Sequence, residues 1–193
     1  SDQRLPDAAQ RGDISTVGSL LQENAEVDGT QGDGMTALHW ATQNDDLEMV
    51  RMLIHAGASL NAETRVGTIT PLFLACTNGS RAMTELLLEA GADANSLAVG
   101  GTTALMRASA AGSVEVVEAL LEHGADLHAK EAVREQTALM YAAALDRSAV
   151  VRVLARRGAD LNAISKVERI GELLFDEDGN PQPTGVTRGG GAA

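Results

Sequence analysis

A short motif recurs four times along the chain at a nearly constant interval. It is Thr36-Ala37-Leu38-His39, then Thr70-Pro71-Leu72-Phe73, Thr103-Ala104-Leu105-Met106 and Thr137-Ala138-Leu139-Met140, at steps of 34, 33 and 34 residues. A second marker, Gly-Ala, keeps the same interval at residues 57–58, 91–92, 124–125 and 158–159. A period of this length predicts a stack of repeated units, because one such unit cannot bury its apolar face alone.

Each unit has the pattern of two helices followed by an extended turn. The motif threonine can cap a first helix by accepting hydrogen bonds from its free backbone N–H groups, and Pro71 lies where a first-turn proline is tolerated. A second helix then carries apolar residues at helical spacing, such as Met49, Val50 and Leu53. It ends at the repeated glycine, which can adopt a left-handed conformation.

These opening and closing motifs resemble those of the ankyrin-repeat family. The matches include Thr36-Ala37-Leu38-His39-Trp40-Ala41, Thr70-Pro71-Leu72-Phe73-Leu74-Ala75, Gly91-Ala92-Asp93-Ala94-Asn95 and Gly158-Ala159-Asp160-Leu161-Asn162-Ala163. The resemblance covers about Leu5 to Ala163 and implies an all-α solenoid of about five stacked helix-turn-helix units with short β-hairpin connections. It therefore predicts an N-terminal capping repeat at 1–30 and four further repeats at 31–163.

Two departures from the pattern carry information. The connections at 61–70 and 128–137 are one residue longer than those at 28–36 and 95–103, so we expect hairpin tips of alternating shape. The first unit lacks the threonine opening and has Asn24 in place of the glycine, as a divergent terminal unit should.

After residue 163 the period breaks. Residues 164–193 are predicted to form a non-repeat β-hairpin insertion with a Gly-rich end leading into a further repeat, since Asp178-Gly179 is a hairpin signal. The long insertion and the Ala- and Arg-rich units resemble bacterial exported proteins. We therefore favour a periplasmic or extracellular location over the cytoplasm.

Composition narrows the classes of function. A formal net charge of −12 repels the phosphate backbone, so nucleic acid is not an expected partner. Aromatic residues make up 2% of the chain, which favours closely packed small helices over a β-sandwich. No apolar run reaches about 18 residues, so no membrane span is expected.

Candidate chemical sites each have a simpler structural interpretation. Three of the four motif copies replace His39 with Phe or Met, which favours a packing role for the histidine over an imidazole-dependent site. Cys76 stands at an apolar position with no activating cation nearby, and Gly32-Asp33-Gly34 aligns with repeat turns. We expect no catalytic residues, no metal site and no cofactor.

The resemblance implies a different function, protein binding through a concave groove and hairpin tips. We expect the partner contacts at Asp33, Met35, Trp40, Gln43, Asn44, Arg65, Val66, Leu74, Asn78, Val99, Arg107, Val133 and Tyr141. Trp, Tyr and Arg are enriched at binding hot spots, although Trp40 and Tyr141 equally fit a packing role. The alternative is a self-assembly protein, in which the 164–193 hairpin and the open repeat end contact neighbouring chains.

Overall fold

The chain folds as a row of stacked helix pairs. The computed structural model describes residues 2–166 and the backbone of residues 174–175 and 181–182. Its helices are α1 Arg4–Gln10, α2 Ile14–Gln22, α3 Ala37–Gln43, α4 Leu47–His55, α5 Pro71–Asn78, α6 Arg81–Glu89, α7 Ala104–Ala111, α8 Val114–Glu122, α9 Ala138–Ala144 and α10 Ser148–Arg156. The first helices pack in the order α1, α3, α5, α7 and α9, while α6, α8 and α10 stack beside them. The predicted all-α solenoid of five units is confirmed.

The motif threonines start the first helices as predicted. The hydroxyl oxygens of Thr36, Thr70, Thr103 and Thr137 accept hydrogen bonds from the backbone N–H three residues on, at 3.2–3.4 Å. Side chains of Asp13, Asp46 and Ser80 cap the second helices in the same way. A side-chain cap therefore marks the start of seven of the ten described helices; α1, α8 and α10 begin without one.

The second helices end in a left-handed residue. Gly57, Gly91, Gly124 and Gly158 have φ of 88°, 104°, 83° and 92°. In the first unit Asn24 adopts the same region with φ 59°, and asparagine tolerates it better than most side chains. The divergent first unit thus keeps the helix ending of the others.

Small and aliphatic side chains fill the core. Leu38, Leu72 and Leu105, at equivalent positions in successive units, are each 1% exposed, and the alanines beside them are fully buried. Alanine lets the helices approach closely, which explains how a chain with few aromatic residues still forms a packed interior. In the last unit, Leu139 is only half-buried, because no described residue covers its outer side.

The connections between units alternate in shape, as their lengths predicted. The two shorter connections contain strand pairing, at the Thr30–Thr36 bridge and between β1 (Leu97–Ala98) and β2 (Thr102–Thr103). In the two longer ones the extra residue, Thr68 or Glu135, adopts the left-handed backbone region. Backbone N–H groups of each longer connection donate to one buried side chain of the same connection. Thr64 Oγ1 accepts from Ile69 N at 3.0 Å, and the Glu131 carboxylate accepts from Val133 N and Arg134 N, both at 2.6 Å.

Backbone hydrogen bonds join each hairpin to the next. The acceptor is always the carbonyl three residues before a motif threonine, and the donor lies 32 residues further along. The bonds are Arg65 N to Asp33 O (2.8 Å), Val99 N to Gly67 O (3.0 Å), Ala132 N to Gly100 O (2.7 Å) and Lys166 N to Arg134 O (2.7 Å). The hairpins therefore form one hydrogen-bonded ladder along the stack.

The predicted segment 164–193 lies mostly outside the described residues. The structure gives only an antiparallel pair there, β3 (Leu174–Phe175) with β4 (Pro181–Gln182). The insertion and the further repeat stay predictions, as do the domain boundaries at residues 30 and 163.

Candidate partner-binding groove

One face of the stack is built from two positions in each of the four units that carry a motif threonine, four residues before and four residues after it. We call these eight positions the groove face. They hold Gly32 and Trp40, Val66 and Leu74, Val99 and Arg107, and Val133 and Tyr141. Two hollows bring these positions together: Val66 and Leu74 line one, and Val99, Val133 and Tyr141 line the other.

The three valines of the groove face are unusually exposed to solvent for apolar side chains. Val66, Val99 and Val133 are 78%, 66% and 57% exposed, and Leu97 beside them is 55% exposed. The ladder holds their hairpins in fixed register. They form an apolar row on the hairpin tips, the kind of surface that marks an interaction site.

Trp40 is held by polar contacts within the chain. Its indole N–H donates to Gln31 Oε1 at 2.8 Å, and Gln31 Nε2 donates to Asp7 Oδ1 at 2.6 Å and Gln10 Oε1 at 3.1 Å. Its ring is half-buried against the core. This network connects the second unit to the first and gives Trp40 a structural role.

Asn44 and Asn78 also bind the preceding unit. Asn44 Nδ2 donates to Ala9 O at 3.1 Å and Gln10 O at 3.4 Å, and Asn78 Nδ2 donates to Thr42 O at 3.3 Å and Gln43 O at 3.2 Å. These carbonyls lie at the end of the neighbouring first helix. Ala9 O and Thr42 O also accept from the backbone N–H groups of Gly12 and Asp45. Gln43 itself is exposed on the same surface.

Each hairpin takes the number of the unit that it opens, from the second (28–36) to the fifth (128–137). The first hollow lies between the second and third hairpins. Asp33, Met35, Val66 and Leu74 line it. Met35 is only 8% exposed, so it supports the hollow from beneath and offers little surface to a partner. Beside it, exposed Arg65 donates from its guanidinium to Gly32 O at 3.1 Å.

The second hollow lies between the fourth and fifth hairpins and measures about 380 Å³. Val99 and Val133 form its apolar walls, and half-buried Tyr141 lines it as well. Its other lining residues were missed by sequence reasoning: Gly100, Thr102, Glu131, Arg134 and Gln136. The sequence signal for Arg134 is that a basic residue stands at a position where the other long connection has a glycine, Gly67. Arg107 lies nearby on α7, with its guanidinium carbon 5.3 Å from the centre of the Phe73 ring.

His39 lies beneath this face as a buried structural residue. Its Nδ1 is 2.8 Å from Thr36 Oγ1, and its Nε2 is 2.9 Å from Ile69 O in the next connection. Burial lowers the pKa of His39, although its hydrogen bond to Ile69 opposes the shift. The imidazole therefore joins two units.

Cys76 and the Gly32-Asp33-Gly34 turn have structural explanations as well. Cys76 is fully buried, and burial raises the pKa of its thiol to about 12, so it is not a nucleophile at neutral pH. Gly34 has φ 88°, and a Cβ there would lie 2.6 Å from Arg65 N in the next hairpin. Gly34 thus permits the close approach that the ladder requires.

The described residues also give information on two other kinds of site. They contain no group of three or more His, Cys, Asp or Glu side chains placed to hold a metal ion. None of the helices that the structure describes is long and apolar enough to cross a membrane.

Comparison with known proteins agrees with the repeat pattern and the fold. The family profile for ankyrin repeats matches three times, at residues 5–98, 60–131 and 93–165. Together these matches span most of the chain, which therefore belongs to the ankyrin-repeat family. Ankyrin repeats generally mediate protein–protein interaction, and the family is typically non-enzymatic.

Individual relatives match over parts of the chain. A palmitoyltransferase of Saccharomyces cerevisiae is 42% identical over 64 residues, which are 31% of this chain and 8% of that protein. Protein phosphatase 1 regulatory subunit 27 of Mus musculus is 32% identical over 74 residues, 38% of this chain and 47% of that protein. An ankyrin repeat protein of monkeypox virus is 33% identical over 67 residues, 35% of this chain and 12% of that protein.

The chain thus spans less than half the length of each of these relatives. Their sources are a fungus, a mammal and a virus, so the bacterial, exported origin stays a prediction.

Proposed function

We propose that this chain is a non-enzymatic binding module that holds a partner protein on the groove face of its third to fifth units. The observation that carries the proposal is the apolar row of Val66, Val99 and Val133, each more than half exposed on hairpins fixed by the ladder. A rigid surface loses little conformational freedom on binding, which favours affinity.

The candidate contacts differ in how well they fit this role. Asp33, Gln43, Arg65, Val66, Leu74, Val99, Arg107, Val133 and Tyr141 offer side-chain surface on or beside the groove face. Trp40, Asn44 and Asn78 have their polar donors engaged within the chain, and Met35 is buried. We therefore place the centre of the interface at Val99, Val133 and Tyr141.

Site-specific photo-crosslinking tests the proposal. A photo-crosslinking amino acid is placed at Val133 on the groove face or, as the matched control, at exposed Glu115 on α8, and the intact chain is irradiated in lysate of the source organism. We expect position 133 to yield a protein adduct of defined mass that position 115 does not. Equal labelling at both positions, or no adduct at 133, contradicts the proposal.

Self-association is a second candidate, favoured by the fifth unit, whose outer side is not covered by any described residue. Val151 is half-buried and Ala143 is exposed, whereas Val50, Val117 and Cys76 at equivalent positions are fully buried. Two copies meeting at this end would bring their Arg152 side chains together, so pairing should strengthen as salt screens the repulsion. Light scattering of the intact chain, with Val151→Asp as the variant expected to abolish pairing, tests this. A monomer at every salt concentration contradicts it.

A further inference from the structure

The fourth and fifth units carry two basic side chains, one on the groove face and one beside it, that form no ion pair with any described residue. Arg107 and Arg134 are both exposed. The ion pairs among described residues involve Arg4, Arg81, Arg157 and Lys166, and neither Arg107 nor Arg134 takes part in one. This stands out in a chain with a formal net charge of −12.

Among the described residues, the two acidic side chains in the same hairpin as Arg134 already have partners within the chain. The Glu131 carboxylate is buried, 5% exposed, and accepts from the backbone N–H groups of Val133, Arg134 and Gln136. Burial raises the pKa of Glu131, but these hydrogen bonds and the nearby positive charge of Arg134 together lower it by more, so the net shift is downward. Glu135 forms an ion pair with Lys166. Both carboxylates are thus committed to the chain's own groups.

The hollow between the fourth and fifth hairpins adds an apolar component beside these charges. Val99, Val133 and the Tyr141 ring provide apolar surface, and Arg134 lines the same hollow. Its width is fixed because Ala132 N donates to Gly100 O at 2.7 Å, which ties the two hairpins together. Glu131 lines this hollow as well, but its carboxylate accepts from backbone N–H groups. The hollow between the second and third hairpins is lined by Asp33 and by no basic residue.

We infer that the occupant of this region is an acidic peptide segment of the partner, with a large apolar side chain flanked by Asp or Glu. The apolar side chain enters the hollow against Val99, Val133 and Tyr141, and the carboxylates pair with Arg107 and Arg134. A planar guanidinium binds a carboxylate through two parallel hydrogen bonds, which gives orientation as well as attraction. The inference rests on the proposed function, that the groove face binds protein.

Peptide selection on the intact chain tests the chemistry. A displayed library of random peptides about 16 residues long is selected for binding, and the dissociation constants of the enriched peptides are measured by fluorescence anisotropy. We expect enrichment of Asp and Glu beside Leu, Phe or Trp. The double variant Arg107→Glu with Arg134→Glu should weaken these peptides about tenfold or more, and selection on it should enrich Lys and Arg.

Two controls separate this inference from the proposed function. Arg51→Glu reverses an exposed charge on α4, outside the groove face and away from the last unit, and should leave the dissociation constants unchanged. Val99→Asp with Val133→Asp removes the apolar walls and should abolish binding, with circular dichroism verifying that every variant is folded.

The outcomes are distinct. Neutral or basic peptides that lose binding with Val99→Asp and Val133→Asp would overturn the acidic chemistry and leave the proposed function standing. A selection with no peptide sensitive to those two substitutions would overturn both.

Discussion

The two halves of the groove face use equivalent positions in opposite ways. In the amino-terminal half, Trp40 donates to Gln31, and Asn44 beside the groove face donates to the end of α1, so side chains on or next to this face hold neighbouring units together. In the carboxyl-terminal half, Tyr141 occupies the position of Trp40 and Leu145 that of Asn44. The Tyr141 hydroxyl donates to no described residue, and Leu145 is 50% exposed.

The comparison shows that position in the repeat does not decide a side chain's role. The same place supports the stack when a polar partner from the neighbouring unit is within reach, and remains available to a partner protein when none is. A solenoid in which each unit contacts only its neighbours permits this, because stability and recognition can be divided between different units. We therefore expect substitutions on this face to lower the free energy of unfolding strongly in the amino-terminal half and weakly in the carboxyl-terminal half.

Trp40→Ala should give the largest loss of stability. It removes a half-buried indole and breaks its hydrogen bond to Gln31, so we expect the free energy of unfolding to fall by about 2–3 kcal/mol. Urea unfolding followed by circular dichroism measures the loss. A change under about 0.5 kcal/mol would show that the indole contributes little to the stack and would remove the contrast between the halves.

Asn44→Ala and Asn78→Ala should each cost about 1 kcal/mol, because each leaves two helix-end carbonyls without a side-chain donor. The two losses should add, since the residues bridge different pairs of units. Leu145→Ala, at the equivalent position of the last unit, is the control and should stay within about 0.5 kcal/mol. An equal loss for Leu145→Ala would contradict the assignment of the asparagines as inter-unit bridges.

The sequence predicted the fold better than the site because the fold is encoded locally. Each capping threonine accepts a hydrogen bond from an N–H only three residues away. The alternating shapes of the hairpins could be predicted from the number of residues in each connection. The roles of Asn44 and Trp40 depend on acceptors in another turn of the chain, which periodicity alone does not identify. The burial of Met35 likewise depends on how two hairpins pack, and Arg134 gained significance only when the hollow brought it beside Tyr141.

His39 should make the second unit sensitive to pH in a way that the other units are not. Because burial lowers its pKa in the folded chain, the unfolded chain binds the proton more tightly. The stabilisation by neutral His39 is complete above the unfolded pKa of about 6.5 and is lost as the pH falls below it toward the lowered folded value.

His39→Phe, the residue found at position 73, should reduce the decline in melting temperature between about pH 7 and pH 5. His128→Gln replaces an exposed histidine and should leave that decline unchanged. An identical pH profile for His39→Phe and the unsubstituted chain would contradict the assigned shift.

Substituting phenylalanine at the two equivalent aromatic positions gives the finest comparison, because each change keeps an aromatic ring. Trp40→Phe removes the indole donor to Gln31 and should cost about 1 kcal/mol or more. Tyr141→Phe removes a hydroxyl that no described residue accepts from, so its free energy of unfolding should stay within about 0.5 kcal/mol. Urea unfolding of both variants gives the difference directly. A loss for Tyr141→Phe as large as that for Trp40→Phe would mean that both aromatic side chains stabilise the stack. The proposed difference between the two halves of the groove face would then be wrong for Tyr141.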